Sequence, residues 1–180
     1  VPLTGGMPKI LVSGNDFYAS PRLSPDGSEL AWITWNHPQM PWDGTELWLA
    51  KVTEDGSLSR PQKLVGNVKE SVCQPRWSPG GTLHFISDAT GWWNLYRWEG
   101  ERGEPLFPME AEFSVPQWSF GQGSYGFEDN TTILCVYTYE GTVRLARLDA
   151  LARSLDEIPT SYCGIGSLQV GKGFAAFLAA

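Results

Sequence analysis

One phrase, Pro21-Arg22-Leu23-Ser24-Pro25-Asp26-Gly27, recurs along the 180 residues of this chain. A second copy reads Pro75-Arg76-Trp77-Ser78-Pro79-Gly80-Gly81, a weaker third occupies residues 116–121, and a faint fourth occupies residues 168–173. The steps from Leu23 to Trp77, then to Trp118 and to Leu168, are 54, 41 and 50 residues. Spacings in this range are typical of proteins built from repeated structural units, so we predict the fold repeat by repeat.

The phrase itself predicts the turn of a β-hairpin. In residues 24–27 the proline suits the second position of a type I turn, and the glycine accepts the positive φ at the entry to the next strand. Residues 30–35 and 46–52 are rich in aromatic, aliphatic and β-branched side chains, which favours strands. Asp55-Gly56 then turns the chain into a further extended segment at residues 62–65. One repeat therefore contains four short strands.

The later repeats divide in the same way. Four short strands per repeat, with turn signals between them and no amphipathic helix, are typical of the blades of a β-propeller of the WD40-like kind. The predicted strands are residues 74–78, 83–87, 94–98 and 105–107 in the second repeat, and 115–119, 124–127, 132–138 and 143–148 in the third.

The phase of the repeats predicts an incomplete propeller. Residues 8–12 resemble the fourth-strand segment 61–65, so the chain opens with the outer strand of a preceding blade, and residues 174–178 supply a second strand of a last blade. The expected fold is all-β, a partial β-propeller of about three to four blades of four-stranded antiparallel sheets. The predicted divisions of this single fragment, residues 1–180, are an outer strand at 8–14, blades at 20–66, 74–108 and 115–160, and the start of a further, truncated blade at 166–180.

Composition excludes several classes of partner. A net charge of −7 and a pI near 4.8 argue against nucleic acid and against an anionic membrane surface, because both require clustered Lys and Arg. Three cysteines without a C-x-x-C pair predict free thiols in a reducing compartment rather than a disulfide framework. No apolar run approaches the length of a membrane helix. We therefore expect a cytoplasmic protein without a membrane partner.

Two glycine-rich strings imitate phosphate-binding loops. Residues 121–126 match G-x-G-x-x-G but have no βαβ context, and residues 166–173 match a P-loop except that Gly173 replaces the Ser or Thr that holds Mg²⁺. Unless residues 174–180 form a helix, nucleotide chemistry is not expected. His37 and His84 fall in different repeats, which argues against a shared metal site. The sequence thus predicts no cofactor and no metal.

The nine tryptophans divide into two groups. Those within predicted strands are expected to fill the spaces between blades: Trp32, Trp48, Trp77, Trp98 and Trp118. Others lie in two long connections, residues 36–45 and 88–93, that the strand pattern places on one rim, and loops on a rigid scaffold often carry recognition. The substrate-facing candidates are His37, Trp42, Asp43, Trp92 and Trp93. The alternative is that these side chains only cap the apolar gaps between blades.

Residues 35–48 carry the most particular pattern, Trp35-Asn36-His37-Pro38-Gln39-Met40-Pro41-Trp42-Asp43-Gly44-Thr45-Glu46-Leu47-Trp48. Together with residues 74–79, 87–96 and 108–113, this stretch resembles the propeller of the prolyl oligopeptidase family of serine peptidases, on its dipeptidyl and acylaminoacyl peptidase side. The resemblance extends from Asp16 to about residue 127.

The resemblance implies that catalysis and substrate selection are carried out by different domains. Members of the family carry a Ser, Asp and His triad on an α/β-hydrolase domain, and the propeller restricts which peptides reach it. The nearest string here to the G-x-S-x-G elbow is Gln122-Gly123-Ser124-Tyr125-Gly126, which lacks the first glycine, so no catalytic residue is assigned. The expected partners are a hydrolase domain and peptide substrates. The alternative is a self-standing propeller scaffold for protein–protein interaction.

Truncation of the propeller predicts association. The first and last sheets of an incomplete ring leave apolar faces uncovered, and exposed faces of that size favour contact with other chains. We therefore expect a homo-oligomer through the exposed blade faces.

Overall fold

The structure is a computed structural model that describes Gly5 and residues 7–180. These residues contain fourteen β-strands in three four-stranded antiparallel sheets and one two-stranded sheet. Helices are absent from the described part of the chain, so nothing there could serve as a transmembrane helix. The prediction of an all-β, partial propeller is confirmed, because the sheets follow one another without closing into a ring.

Each sheet is a blade in which consecutive strands pair in chain order. Blade 1 contains β1 (Phe17–Leu23), β2 (Glu29–Trp35), β3 (Glu46–Val52) and β4 (Leu58–Gly66). Blade 2 contains β5 (Val72–Trp77), β6 (Leu83–Ser87), β7 (Asn94–Trp98) and β8 (Gly103–Pro105). Blade 3 contains β9 (Tyr125–Phe127), β10 (Thr132–Tyr139), β11 (Thr142–Asp149) and β12 (Ser154–Ile158). The partial blade 4 contains β13 (Ile165–Gly171) and β14 (Phe174–Ala179).

The strand assignment in the third repeat was wrong by one strand. Residues 115–119, predicted as its first strand, form no strand, and β9 takes that place. The turn that follows β9 is closed by a hydrogen bond from the Glu128 N–H to the Thr132 carbonyl, at 2.9 Å, as Ser78 and Thr82 close the equivalent turn of blade 2. Residues 116–121 therefore match the repeated phrase in sequence but do not form the strand and turn that the phrase forms in blades 1 and 2.

The described residues before blade 1 form no strand. Residues 8–14, predicted as the outer strand of a preceding blade, pair with no other strand in the described structure. The Lys9 ammonium lies 3.2 Å from the Asp55 carboxylate, at the turn between β3 and β4. A preceding blade stays a prediction.

The first strand of each blade is the innermost strand of the propeller. The innermost strands of blades 1, 2 and 4, which are β1, β5 and β13, share a bulge that the sequence did not predict. Ser20, Gln74 and Ser167 have φ values of 52°, 51° and 54°, and the pairing of β1, β5 and β13 shifts register at these residues. A left-handed residue in one strand of an antiparallel pair adds local bend and twist. The bulges thus bend these three strands at equivalent positions of blades 1, 2 and 4.

Adjacent blades pack face to face through apolar side chains. Between blades 1 and 2 the core includes Ala31, Leu47, Val72, Phe85 and Tyr96. Between blades 2 and 3 it includes Ile86, Leu95, Phe113, Tyr125 and Tyr137, and between blades 3 and 4 Leu134, Leu145 and Leu168. Trp77 and Trp98 pack against the first of these cores, as predicted. Trp118 does not, because its side chain is 76% exposed.

The two ends of the sheets differ in their connections. Antiparallel pairing in chain order places the first-to-second and third-to-fourth turns of every blade on one end, here called the turn face. All the long connections lie on the opposite end, here called the loop face. Aspartate side chains close the turns on the turn face. In the turn between β1 and β2, Ser24 and Ser28 donate hydrogen bonds to the Asp26 carboxylate, and these bonds lower the pKa of that carboxyl to about 2. The loop face comprises residues 36–45, 67–71, 88–93, 106–124, 140–141 and 159–164.

Candidate functional site

A cavity of about 270 Å³ opens on the loop face between residues 36–45 and 117–120. The Trp42 and Trp118 rings meet there with centroids 4.2 Å apart and planes tilted by 44°. We call this site the aromatic pocket. Its aromatic and apolar lining residues are Phe17, Trp35, His37, Met40, Pro41, Trp42, Trp118 and Phe120.

The loop that carries Trp42 is held by hydrogen bonds along its second half, residues 40–45. The Asp43 carboxylate accepts the Met40 N–H at 2.9 Å, which closes a turn within the loop. The Ser71 hydroxyl donates to the Pro41 carbonyl at 2.8 Å, and Thr45 forms side-chain hydrogen bonds to the backbone of Val72. Because these contacts anchor the loop to the start of blade 2, the Trp42 side of the pocket is held in place by the fold itself.

The structure brings together only part of the predicted set. His37 and Trp42 line the aromatic pocket, whereas Asp43 serves the turn that positions them. Trp92 is 39% exposed on the neighbouring 88–93 loop. Trp93 instead packs against the core between blades 2 and 3, and its backbone N–H donates to the Glu112 carboxylate at 3.1 Å.

Sequence reasoning missed the other side of the pocket. The sequence places Trp118 in a predicted strand and therefore in the core, and it does not single out Phe120. Both side chains are exposed, Phe120 by 79%, on the long connection before β9. One signal was available: the step to Trp118, 41 residues, is the shortest of the three.

A second, more polar cavity of about 350 Å³ lies beside blades 3 and 4. The Gln74 side chain crosses towards it: its amide oxygen accepts the Ser124 N–H at 2.9 Å, and its amide nitrogen donates to the Ser114 hydroxyl at 3.1 Å. Glu112 and Ser167 also line the cavity. Such hydroxyl, amide and carboxylate groups are suited to hydrogen-bonding a peptide backbone.

Three acidic residues of the loop face, Glu70, Asp88 and Glu112, lie near one another, and Glu112 also lines this cavity. Burial raises the pKa of Asp88, and the nearby carboxylates of Glu70 and Glu112 raise it further, against the opposing hydrogen bond from the Ser71 N–H. Glu70 accepts a hydrogen bond from the Ser87 hydroxyl at 2.7 Å. The loop face therefore combines aromatic surface with an acidic patch.

Neither histidine is arranged for nucleophilic catalysis. The His84 imidazole is buried, its Nδ1 lies 3.0 Å from the Thr82 carbonyl oxygen, and burial lowers its pKa to about 4. Ser124, in the string nearest to a nucleophile elbow, donates its hydroxyl to the Phe113 carbonyl. Over the described residues, no hydrogen bond joins an imidazole to a serine or a carboxylate, and no three potential ligands cluster for a metal ion.

The fold and this loop face define a partial β-propeller with its long connections on one side. Puromycin hydrolase is 36% identical with a TM-score of 0.86, and the match covers 92% of this chain and 25% of that one. A puromycin-hydrolyzing peptidase from Mycobacterium tuberculosis is 37% identical with a TM-score of 0.88, covering 95% of this chain and 26% of that one.

These matches support the resemblance drawn from the sequence: over more than nine-tenths of its length the chain is similar to part of two puromycin-hydrolysing enzymes, which is consistent with a partial propeller of the prolyl oligopeptidase family. It spans about a quarter of the length of these two relatives. Prolyl oligopeptidase B from Galerina marginata shares the fold at 13% identity, with a TM-score of 0.65 over 87% of this chain and 21% of that one. No protein-family profile matches the chain, and no curated protein sequence matches it.

Proposed function

We propose that this chain is the non-catalytic propeller portion of a prolyl-oligopeptidase-like serine peptidase, and that it restricts which peptides reach a catalytic domain elsewhere in that protein. The proposal rests on one observation. More than nine-tenths of this chain aligns with two puromycin-hydrolysing enzymes at 36–37% sequence identity, and the aligned part is about a quarter of each enzyme. Identity at that level over a propeller supports a shared role as well as a shared fold.

The loop face is the surface that we propose docks on the α/β-hydrolase domain. It carries the long connections and the exposed apolar side chains of Met40, Val115, Trp118 and Phe120. The turn face, in contrast, consists of short turns closed by their own aspartate, serine and threonine side chains. An apolar surface rimmed by polar residues is typical of an interface.

Substrate selection is the second part of the proposal. The substrate-facing group is His37, Trp42, Asp43, Trp92 and Trp93, of which His37 and Trp42 line the aromatic pocket. A preformed apolar cavity of about 270 Å³ is large enough for one bulky side chain of a peptide. In this role Asp43 holds the turn of loop 36–45 through its hydrogen bond to the Met40 N–H. Trp93 anchors the neighbouring loop, residues 88–93, to the core between blades 2 and 3.

Replacing Trp42 with alanine in the full-length protein tests substrate selection. We expect kcat/KM for a peptide with a large apolar side chain to fall by about tenfold or more, because one apolar contact in a pocket contributes about 1–3 kcal/mol. Leu151→Ala is the matched control, since Leu151 is an exposed apolar residue on the turn face. Unchanged turnover by a folded Trp42→Ala enzyme would refute the recognition role.

A self-standing scaffold is the second candidate, and the exposed Trp118 and Phe120 side chains favour it. The coding sequence downstream of Ala180 distinguishes the peptidase portion from the self-standing scaffold. A downstream segment with G-x-S-x-G between a strand and a helix supports the peptidase, and a stop codon after the strands that complete a ring supports the scaffold. Turnover of an aminoacyl reporter by this chain alone would contradict both.

The open end of the sheet series supports self-association of the isolated chain. Phe174 and Leu178 lie on one face of β14 and are 69% and 72% exposed, whereas Phe177 points to the other face and packs against blade 3. We expect light scattering to give a mass above 19.9 kDa, and Phe174→Glu with Leu178→Lys to reduce it. A 19.9 kDa monomer at high protein concentration would contradict this prediction.

The proposed location is the cytoplasm. Cys73, Cys135 and Cys163 are all free thiols, which supports a reducing compartment. Burial raises the pKa of Cys73 to about 12, so that thiol stays protonated and unreactive at neutral pH.

A further inference from the structure

Arg22 and Arg76 occupy the same position of the repeated phrase on neighbouring innermost strands. Each follows the bulge of its strand and precedes the turn to the next strand, so the backbone of both residues lies towards the turn face. The indole N–H of Trp77 donates to the Arg22 carbonyl at 3.0 Å, which joins β5 to β1 at this level. The repeat therefore places two positive charges side by side.

These two arginines border a cavity of about 390 Å³. Its lining comes from all four innermost strands, which converge around the axis of the propeller, and we call it the axial cavity. The contributing residues are Arg22 and Leu23 of β1, Arg76 and Trp77 of β5, Gly126 and Phe127 of β9, and Val170 of β13, together with Pro25, Ser78 and Pro79 of the adjoining turns.

The Arg76 guanidinium has a prepared position but no counter-charge. Its Cζ lies 5.4 Å from the centroid of the Tyr125 ring. A Cβ on Gly123 would come within 2.5 Å of its Nη2 and within 2.9 Å of the Leu168 carbonyl oxygen, so the absence of a side chain at Gly123 leaves room for the guanidinium. Within the described residues, neither Arg22 nor Arg76 forms an ion pair, although six other pairs are present.

The electrostatic consequence is an unbalanced positive site. Burial lowers the pKa of Arg76, and the neighbouring positive charge of Arg22 also lowers it. A partly buried cation without a partner is unfavourable, and a second cation beside it adds repulsion. This occurs in a chain of net charge −7, which has 20 acidic residues and positions none of those described against these two arginines.

We propose that the axial cavity binds a small oxyanion, a carboxylate or a phosphate, between Arg22 and Arg76. Guanidinium groups present paired N–H donors that match two oxygens of a carboxylate or phosphate. The site lies at the opposite end of the sheets from the aromatic pocket, so it stands whether or not the loop face docks on a hydrolase domain.

Calorimetric titration of the full 180-residue chain tests the proposal. Inorganic phosphate, acetate and a short peptide with a free carboxyl terminus are the probes, and the amidated peptide and sodium chloride are the controls. We expect saturable binding of at least one carboxylate or phosphate probe and none of sodium chloride. Phosphate binding alone identifies a phosphate site, and preference for the free over the amidated peptide identifies a terminal carboxylate.

Substitutions then assign the site. We expect Arg22→Gln and Arg76→Gln each to weaken binding at least tenfold, Arg76→Lys to weaken it less, and the exposed Arg102→Gln to leave it unchanged. Arg22 is exposed, so its variant reports on binding even where Arg76→Gln disturbs folding, which circular dichroism detects. Absence of saturable binding by the wild-type chain, or equal affinity in Arg22→Gln and wild type, would overturn the proposal.

Discussion

Gly66→Ala is expected to destabilise the chain by more than about 3 kcal/mol, the range reached when a substitution cannot be accommodated. A Cβ at this position would lie 2.1 Å from the Thr45 carbonyl oxygen and 3.0 Å from the Glu46 Cα. Both contacts are with backbone, which cannot rotate away. The φ of +93° adds strain for any residue with a side chain.

The effect is expected to spread beyond blade 1. Gly66 ends β4 opposite Glu46, and the neighbouring Thr45 hydroxyl hydrogen-bonds Val72 at the start of β5. Any shift that relieves the clash therefore loosens the junction of blades 1 and 2.

Gly56→Ala is the matched control for this prediction. Gly56 also has a left-handed backbone, with φ of +74°, but no heavy atom lies within 4 Å of an added Cβ. Its expected cost is the backbone strain alone, about 1–2 kcal/mol. Urea unfolding followed by circular dichroism measures both variants. Equal losses of unfolding free energy would mean that the clash at Gly66 is not decisive.

Tyr125→Ala is expected to cost about 4 kcal/mol of unfolding free energy, as removal of large buried aromatic side chains does. The ring is fully buried between blades 2 and 3, where it packs edge-on against Phe127 and lies beneath Arg76. Its hydroxyl donates to the Gln74 carbonyl at 2.7 Å. One side chain thus links β9 to the bulge of β5.

Tyr125→Phe separates the two contributions. This variant keeps the ring and removes only the hydrogen bond, so the expected cost is about 1–2 kcal/mol from an unsatisfied carbonyl. Thermal and urea unfolding of both variants provide the comparison. A loss in Tyr125→Phe as large as in Tyr125→Ala would assign the stabilisation to the hydrogen bond rather than to packing.

The strands of the first two blades were predictable because their signals are local. Predicted segments 46–52, 83–87 and 94–98 coincide with β3, β6 and β7. Alternating or continuous apolar residues, bounded by turn residues, depend only on neighbours in sequence. The bulges in the innermost strands were not predictable, since Ser20 and Gln74 adopt a positive φ that their residue types do not favour.

Blade 3 shows where local signals mislead. β9 has three residues, and its turn uses Asp129 as hydrogen-bond acceptor in place of the Ser-Pro phrase. Residues 116–121 keep the phrase but lie on the loop face. A strand forms where a partner strand accepts its hydrogen bonds, and that partner is chosen by packing between blades rather than by the phrase.

The candidate site was half predictable for the same reason. A long aromatic connection indicated His37 and Trp42, because loops that interrupt a regular repeat stand out in the sequence. Trp118 was missed because its contact with Trp42 joins distant parts of the chain.

The sequence by itself determined the repeat, the hairpin turns, the all-β class and the family resemblance, because turn chemistry and strand patterning are read over a few neighbouring residues. Tertiary structure alone decided which end of the sheets carries the aromatic pocket and that Arg22 and Arg76 meet at one cavity. Those features arise where blades converge, and the distances between side chains on different blades depend on how the sheets pack, which no local pattern encodes.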